Sequence, residues 1–285
     1  MQIKGARRDK LPELLEHHGG LKEGVARDVS RETGVPEADV YGMGSFYTLL
    51  SNPDAGVRIC QGLSCQLAGA DARAAELEAM GTPYTKVSCL GQCDRAPVAL
   101  DPALELLSWG EPGSVTPADP DLPMNLAGED VATYAALFRA RGLGPERVIE
   151  ELEASGLQGR GGAGFPTHIK WRAVRQEAEP ERYIVVNADE SEPGTFKDRE
   201  ILLRRPHLVI EGAAIAAWYA GAQTVYLYLR GEFTDCRRAL ERALTDAAPS
   251  LEGIEFRLAL GHGAYICGEE TALLEAIEGK RGMPR

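Results

Sequence analysis

The first fifty residues place apolar side chains at the spacing of short helices. Leu11, Leu14 and Leu15 fall on one helical face, and Val25 and Val29 begin another. A glycine pair and a Gly-Val-Pro sequence interrupt the pattern between these stretches. The pattern predicts a small helical bundle over residues 1–50.

Between residues 51 and 110 the pattern changes to short β-branched runs separated by one helix. Runs of this length, bounded by turn residues, are typical of strands. The predicted elements are a strand at Val57–Cys60, a helix from about Ala70 to Met80, and strands at Tyr84–Val87, Pro97–Asp101 and Glu105–Trp109. Together they make a small α/β unit.

Residues 111–128 are rich in Pro, Gly, Asp and Ser, a composition typical of a linker. Over residues 129–285 helices and strands alternate, which predicts a mainly parallel sheet covered by helices. The predicted strands are Tyr183–Val186, Val225–Leu229 and Ile254–Leu258, and the predicted helices pass through Tyr134 and Phe138 and span 144–155, 208–220, 235–247 and about 269–279. The fold class is therefore α/β throughout, after the helical N-terminal region.

Composition excludes some classes of function. The chain has 285 residues, 44% hydrophobic and 26% charged, as soluble globular proteins do. Its net charge of -12 argues against nucleic-acid binding, which depends on Lys and Arg. No apolar run approaches a membrane span and the N-terminus lacks a signal-peptide core, so a cytoplasmic location without structural disulfides is expected. Cys236 and Cys267 have no cysteine at ligand spacing and are predicted to be core residues.

The other four cysteines follow two strands of the small unit in pairs. Cys60 and Cys65 are spaced C-x4-C, and Cys89 and Cys93 are spaced C-x3-C. Both pairs are expected at the same end of the unit. Structural zinc sites usually use the tighter C-x2-C pair, so the wider spacing favours a two-iron cluster held by four thiolates. Zinc and disulfides remain as alternatives.

A glycine-rich stretch at Gly156–Trp171 holds five glycines within nine residues, with Arg160 among them and Lys170 after them. Backbone without Cβ atoms can lie flat against a ligand, and the two cations suit a phosphate. The glycines match the G-x-G-x-x-G spacing, but a helix precedes them where that fingerprint needs a strand. The stretch therefore predicts nucleotide binding by a non-standard, Rossmann-like scheme. The alternative is a flexible surface loop.

The cysteine pattern resembles a known family. Cys60-x4-Cys65, followed by V-S-Cys89-L-G-Q-Cys93-D-R-A-P, resembles the thioredoxin-like [2Fe-2S] subunit that lies beside the flavoprotein of respiratory complex I. Residues 40–48 resemble the end of the helical region before that cluster. The resemblance implies a [2Fe-2S] cluster on the four cysteines. Only 23 residues separate Cys65 from Cys89, fewer than the family usually has, which predicts a missing hairpin.

Three separated motifs in the second half resemble the FMN- and NADH-binding flavoprotein subunit of complex I, a module also found in NAD-dependent formate dehydrogenases and NAD-reducing hydrogenases. They are the glycine-rich stretch, Val186–Asp198 and Gly263–Thr271. The resemblance implies that FMN is surrounded by Gly159, Arg160, Gly161, Gly162, Lys170, Asn187, Asp189, Glu190, Gly268 and Glu269. It implies that NAD(H) faces Phe165, Glu192, Tyr265 and Glu270, with Glu192 and Glu270 as the candidate catalytic residues.

The residue types suit these roles. An aromatic such as Phe165 can stack on nicotinamide or adenine. Hydride transfer needs no general base, so the carboxylates are expected to position and tune the ligands. Their alternative role is a solvated face or a set of acids at a helix N-terminus. His168 replaces a glycine typical of the family, and Ala173 stands where an aromatic is frequent, so NADH affinity is expected to differ.

The resemblance implies a module that passes hydride between NAD(H) and FMN and single electrons to iron–sulfur clusters. Its expected partners are the other subunits of a complex I-like, formate dehydrogenase or hydrogenase assembly, peripheral to the inner membrane through those subunits. The sequence stops at Arg285, before the family's cysteine motif for a [4Fe-4S] cluster, so a C-terminally shortened flavoprotein is expected. The alternative is a catalytically incomplete fragment that docks on a partner subunit.

Overall fold

The computed structural model describes residues 7–111 and 130–285, together with Leu126. The predicted linker at 111–128 thus lies almost wholly outside the described residues. The N-terminal region forms four short helices, α1 (Leu11–His17), α2 (Val25–Thr33), α3 (Glu37–Gly44) and α4 (Thr48–Ser51). Gly34 ends α2 with a φ of 74°, a left-handed conformation that favours glycine.

These helices do not form a separate core. Leu11, Leu15 and Val29 share one buried cluster with Tyr228 and Leu273, which belong to the larger α/β part of the chain. A polar contact also joins the helical region to the C-terminal part of the chain, since Tyr47 donates a hydrogen bond to the Lys280 carbonyl at 2.8 Å. The helical region therefore packs on the C-terminal half.

The first α/β unit (residues 57–108) contains a mixed four-stranded sheet. Its elements are β1 (Val57–Cys60), α5 (Leu63–Leu67), α6 (Ala70–Ala79), β2 (Tyr84–Val87), β3 (Val98–Leu100) and β4 (Leu106–Ser108). The strand order is β2-β1-β3-β4, with β1 parallel to β2 and antiparallel to β3. All four residues of β1 are buried, as expected for a central strand. The short helix α5 was not predicted.

The second α/β unit (residues 130–285) contains a parallel sheet of order β5-β6-β7, which confirms the predicted α/β class. Its elements are α7 (Ala135–Leu143), α8 (Pro145–Ser155), α9 (Thr167–Gln176), β5 (Tyr183–Ala188), α10 (Lys197–Arg204), α11 (Pro206–Ala220), β6 (Thr224–Leu229), α12 (Thr234–Ala247), β7 (Glu255–Leu260) and α13 (Glu270–Ile277). Helices α9 and α10 were not predicted. None of the helices that the structure describes is long and apolar enough to span a membrane.

Helices α11 and α12 cover the sheet of the second unit. Ala213 and Ala217 of α11 and Leu240 of α12 pack in one buried cluster with Val225 and Leu227 of β6. The small side chains of α11 let its backbone approach the strands closely. Ligands of open parallel sheets bind outside the carboxyl ends of the strands. In this chain those ends lead to the loops beginning at residues 189, 230 and 261.

Candidate functional site

The four paired cysteines lie together at one end of the first unit. Cys60 ends β1, Cys65 lies in α5, and Cys89 and Cys93 lie on the loop after β2. The Cys89 and Cys93 Sγ atoms are 3.5 Å apart, and hydrogen bonds join the Cys60 thiol to those of Cys65 and Cys89. All six cysteines of the chain are free, so neither pair is a disulfide. The structure thus brings the four predicted thiols into one continuous group.

Backbone amides face these sulfurs. The amides of Gly62 and Gly91 each lie 3.4 Å from a sulfur, that of Cys60 and that of Cys89 respectively. The hydrogen bond between Cys60 and Cys65 raises the pKa of Cys60 and lowers that of Cys65. Within the described ranges, no three Cys, His, Asp or Glu side chains are arranged to hold a single metal ion. Paired thiols with backbone amide donors suit a two-iron cluster.

The second unit's sequence motifs meet at the carboxyl end of β5. Asn187 Nδ2 donates to the Gly268 carbonyl at 2.9 Å, which joins the loop after β5 to the segment before α13. Beyond this contact, Tyr265 Oη donates to Glu192 Oε2 at 2.6 Å. Two motifs separated by about seventy residues of sequence are therefore held side by side.

Glu269 occupies the N-cap of α13. Its carboxylate accepts from the amides of Thr271 at 3.0 Å and Ala272 at 2.8 Å. A hydrogen bond from the Thr271 hydroxyl, followed by those from the two amides, lowers the pKa of Glu269. The alternative role of the carboxylates, as acids at a helix N-terminus, thus describes the local contacts of Glu269. Any contact of Glu269 with a ligand would have to come in addition to this capping.

The glycine-rich stretch forms a tight exposed loop ahead of α9. The Gly159 amide donates to the Phe165 carbonyl at 2.9 Å, and Gly162 has a φ of 115°, which glycine adopts without strain. A Cβ built on Gly161 or Gly162 would meet no atom within 4 Å. Phe165 is 53% exposed, and Arg160 forms no hydrogen bond or ion pair with another described residue. This loop therefore presents open backbone and two unengaged side chains.

A cleft of about 510 Å³ lies between α9, β5 and α13, and none of the five glycines of the loop lines it. Lys170 Nζ on α9 lies 3.6 Å from Glu270 Oε2 on α13, across its mouth. Asn187, Trp171 and Leu273 also line it. The volume falls within the range of pockets that hold a cofactor. Lys170, Asn187 and Glu270 are thus brought to one cleft.

Asp189 and Glu190 follow β5 and have different surroundings. The Glu190 carboxylate is buried and accepts from the amides of Asp198 at 3.0 Å and Arg199 at 3.1 Å, so it caps α10. Asp189 accepts from Ser191 through Oδ1, while its buried Oδ2 has no partner among the described residues. Burial, followed by the negative charge of Glu232, raises the pKa of Asp189 to about 7. An unpaired buried carboxyl oxygen suits a hydrogen bond to a ligand.

The two sites share a buried boundary. Arg199 of α10 has no exposed surface, and it bonds Asp94 at 2.7 Å and the Gly91 carbonyl at 3.1 Å, both on the cysteine loop. Burial raises the pKa of Cys93, and the backbone amide of Gly194 opposes this by donating to its thiol. Gly194 belongs to the same loop as Glu192. The loop with two of the thiols therefore contacts the loop with a candidate NAD(H) residue directly.

Comparison with known protein families agrees with this arrangement. Residues 152–285 match the family described as Nuo51 FMN-binding domain, and residues 8–101 match thioredoxin-like [2Fe-2S] ferredoxin. The chain joins a thioredoxin-like [2Fe-2S] domain to a Nuo51-type FMN-binding domain. Below, the cluster domain is residues 57–108 and the flavin domain is residues 130–285.

Relatives of known sequence match about half of the chain. A NADH-quinone oxidoreductase subunit of Rickettsia bellii is 52% identical over 152 residues, which is 50% of this chain and 36% of the relative. The corresponding Aquifex aeolicus protein is 49% identical over 162 residues, or 53% of this chain and 38% of that one. This chain thus spans well under half the length of these relatives.

A solved structure covers both domains. A chain of NAD+-reducing [NiFe]-hydrogenase in the H2-reduced state superimposes with a TM-score of 0.84 and 30% identity, over 99% of this chain and 56% of that one. The air-oxidised form gives the same score over 100% and 57%. The order of helical region, cluster domain and flavin domain is therefore shared with a natural redox protein.

These matches decide between the alternatives for the cofactors. A [2Fe-2S] cluster is confirmed as the cofactor of the first domain family, and FMN as that of the second. The assignment of Cys60, Cys65, Cys89 and Cys93 as the ligands of the cluster stays a prediction. The residues present fit both groups. The thiols and amides suit a two-iron cluster, and the open glycine loop, the cleft and the unpaired Asp189 oxygen suit a flavin.

Sequence reasoning missed the arginines at the boundary. Arg199 was not singled out, and neither were Arg230 and Glu232, although the last two directly follow β6. Polar residues at the carboxyl ends of parallel strands are a signal that could have identified Arg230 and Glu232. Arg199 lies inside a helix, and nothing in the local sequence marks it as buried.

Proposed function

We propose that this chain moves electrons between NAD(H), FMN and the [2Fe-2S] cluster, as the input module of a larger redox assembly. One observation carries the proposal. The guanidinium of Arg230 donates to the carbonyl of Glu190 at 2.6 Å and also to the carbonyl of Cys89. A flavin-site loop and a cluster-ligand loop are therefore held close together by one side chain, and electron transfer between two cofactors requires such closeness.

The nicotinamide would be held on the exposed side of the flavin site. Phe165 is free to stack on a ring, and Glu192 and Tyr265 form a hydrogen-bonded pair that can accept from and donate to ribose or carboxamide groups. Lys170 and Glu270 meet at the mouth of the cleft. We assign Glu192 and Glu270 to orienting the nicotinamide, because hydride transfer itself needs no base.

The inner side of the flavin site would hold the cofactor. Gly159, Gly161 and Gly162 let the ligand approach the backbone, and Arg160 and Lys170 can neutralise its phosphate. Asn187 fixes the position of the Gly268 carbonyl, while Glu190 and Glu269 hold the ends of their helices. Bound FMN would supply the conversion between two-electron and one-electron transfer.

The assembly and its location belong to this proposal. The matched relatives are a subunit of NADH-quinone oxidoreductase and a chain of an NAD+-reducing hydrogenase, so we propose partner subunits that carry the electrons onward. A formate dehydrogenase assembly remains a further candidate from the sequence resemblance. We place the chain on the cytoplasmic side, peripheral to any membrane.

The test is anaerobic reconstitution of the purified chain with FMN, iron and sulfide. NADH should bleach the flavin absorbance and produce the electron paramagnetic resonance signal of a reduced [2Fe-2S] cluster. Cys65→Ser should lose the cluster signal, and the buried non-ligand variant Cys236→Ser should keep it. A cluster that stays oxidised while the flavin bleaches would refute the electron path. Failure to bind flavin at all would favour the docking-fragment alternative.

A further inference from the structure

A buried ion pair lies between the two cofactor loops. Arg230 and Glu232 are 4% and 7% exposed, and Arg230 Nε is 3.2 Å from Glu232 Oε2. The remaining Arg230 nitrogens donate to the carbonyls of Glu190 and Cys89. The pair is therefore shared between the flavin site, through Glu190, and the cluster site, through the ligand residue Cys89.

The cluster loop lies directly on this arginine. A Cβ built on Gly91 would be 3.1 Å from Arg230 Nη1 and 2.6 Å from the Phe233 ring, so only glycine fits there. The Gly91 amide in turn faces the Cys89 sulfur at 3.4 Å. The guanidinium and this part of the loop are thus in direct contact. The positive charge therefore acts on the cluster through poorly screening protein.

Stability alone is a weak reason for such a pair. Burying two charges costs desolvation that their mutual attraction often only offsets, and an apolar pair of the same size can be as stable. A role beyond folding is therefore a reasonable expectation for charges that contact a ligand residue's backbone. The reduction potential of an iron–sulfur cluster depends on nearby charge, hydrogen bonds and solvent exposure.

We propose that Arg230 and Glu232 are positioning residues that set the reduction potential of the [2Fe-2S] cluster from the flavin side, an inference that rests on the proposed function. Reduction adds one negative charge to the cluster. Arg230 contacts the cluster loop at the Cys89 carbonyl and favours that charge, whereas Glu232 is paired with Arg230 and opposes it. The two residues therefore shift the potential in opposite directions, with the larger effect from Arg230.

The ion pairs of Arg199, a second charged group at the boundary, are unchanged when Arg230 or Glu232 is replaced. Arg199 pairs with Asp94 and Glu200 at 2.7 and 2.8 Å, and these contacts involve neither Arg230 nor Glu232. Substitutions of Arg230 or Glu232 thus leave the ion pairs of Arg199 in place. The effect of Arg230 and Glu232 on the cluster can therefore be measured separately.

The experiment is a redox titration of the reconstituted cluster followed by electron paramagnetic resonance, with mediators and without NADH. A unit charge within roughly 10 Å, at an effective dielectric of about 20, changes a one-electron equilibrium by about tenfold. Arg230→Met should therefore lower the potential by about 59 mV, the tenfold value for one electron. Glu232→Gln should raise the potential by a smaller amount, and Arg230→Lys should stay close to the wild type.

Controls separate charge from structure. Arg238→Met removes an exposed ion pair with Glu105 between the same two domains, and it should leave the potential unchanged. If Arg230→Met does not fold, Glu232→Gln still decides the matter, because a merely structural role predicts no rise in potential. An unchanged or lowered potential in Glu232→Gln would overturn the proposal. A wild-type chain that takes up no cluster would refute the proposed function together with it, whereas a normal cluster with equal potentials in all variants would refute this inference alone.

Discussion

The two cofactor sites are built in opposite ways. The cluster site is mostly closed: Cys60, Cys65 and Cys89 are at most 5% exposed and Cys93 is partly buried, all at one end of one small sheet. The flavin site is open: Phe165 is 53% and Tyr265 63% exposed. A cluster needs ligands already in place and water kept away, whereas a site that exchanges a nicotinamide needs an accessible face.

The boundary between the sites explains how both designs coexist. Arg199 and Arg230 bury their guanidinium groups where the cluster loop meets the flavin domain. The closed side of the flavin site is thus also the outer wall of the cluster site. Buried polar contacts are concentrated there, whereas Phe165 and Tyr265 on the flavin domain are exposed.

Replacement of Arg199 is expected to have the largest effect on the buried boundary between the closed cluster site and the open flavin site. Arg199→Met would remove the buried partner that Asp94 and Glu200 share, leaving Asp94 with Arg95 at 3.6 Å and Glu200 with Arg204 at 2.9 Å. The free energy of unfolding should fall by up to roughly 3 kcal/mol, the lower end of the cost of breaking a buried ion pair from one side, because each carboxylate keeps one arginine. Urea unfolding followed by circular dichroism measures this loss.

Arg238→Met provides the matched control for that experiment. The pair between Arg238 and Glu105 joins the same two domains, but both side chains are about half exposed. Water replaces such contacts readily, so little change is expected. Equal losses in the two variants would show that the buried network has no special role at the boundary.

Gly91→Ala tests the close approach of the cluster loop. Gly91 has a φ of 69°, and its Cβ would lie 2.6 Å from the Phe233 ring. Gly81→Ala is the control, because Gly81 has a φ of 66° with no atom within 4 Å. Both variants carry the cost of the backbone conformation, and only Gly91→Ala adds the clash. The difference in unfolding free energy should be roughly 1–3 kcal/mol.

The same comparison gives a second measurement on the cluster. Gly91→Ala should lower the yield of reconstituted [2Fe-2S] cluster, because the loop with Cys89 and Cys93 can no longer rest on Phe233. Gly81→Ala should give the wild-type yield, since Gly81 lies between α6 and β2, whereas Cys89 follows the other end of β2. Equal yields would mean that loop docking does not control cluster assembly.

The sequence predicted the cluster site better than the boundary. Pairs such as Cys60 and Cys65 are close in the chain, so their spacing already indicates shared ligation. The contact of Asn187 with Gly268 spans about eighty residues, and only the likeness to a family suggested it. Arg230 could have been noticed because it directly follows β6, whereas Arg199 became visible with the tertiary structure alone, because burial between two domains leaves no periodic signal in the sequence.

The smallest expected effect concerns Asp189 on the flavin side. Burial, and then the charge of Glu232, raise its pKa from the ordinary 3.8 to about 7, while Arg230 and the Ser191 hydroxyl act in the opposite direction. The folded protein therefore binds this proton more tightly than the unfolded chain. The stability that the proton contributes is complete below pH 3.8 and is lost as the pH rises through about 7.

Asp189→Asn removes this titration and should flatten the profile. Between pH 6 and pH 8 the wild type should lose about 1 kcal/mol of unfolding free energy relative to the variant, since one pKa unit corresponds to 1.36 kcal/mol. Ser191→Ala removes a hydrogen bond that lowers the pKa of Asp189, so the loss of unfolding free energy in this variant should occur at higher pH. Urea unfolding of the FMN-free wild type, Asp189→Asn and Ser191→Ala at pH 6, 7 and 8 measures these profiles. Parallel profiles for the wild type and Asp189→Asn would mean that Asp189 is already ionised at pH 6, and that the open side of the flavin site hydrates it well despite its burial.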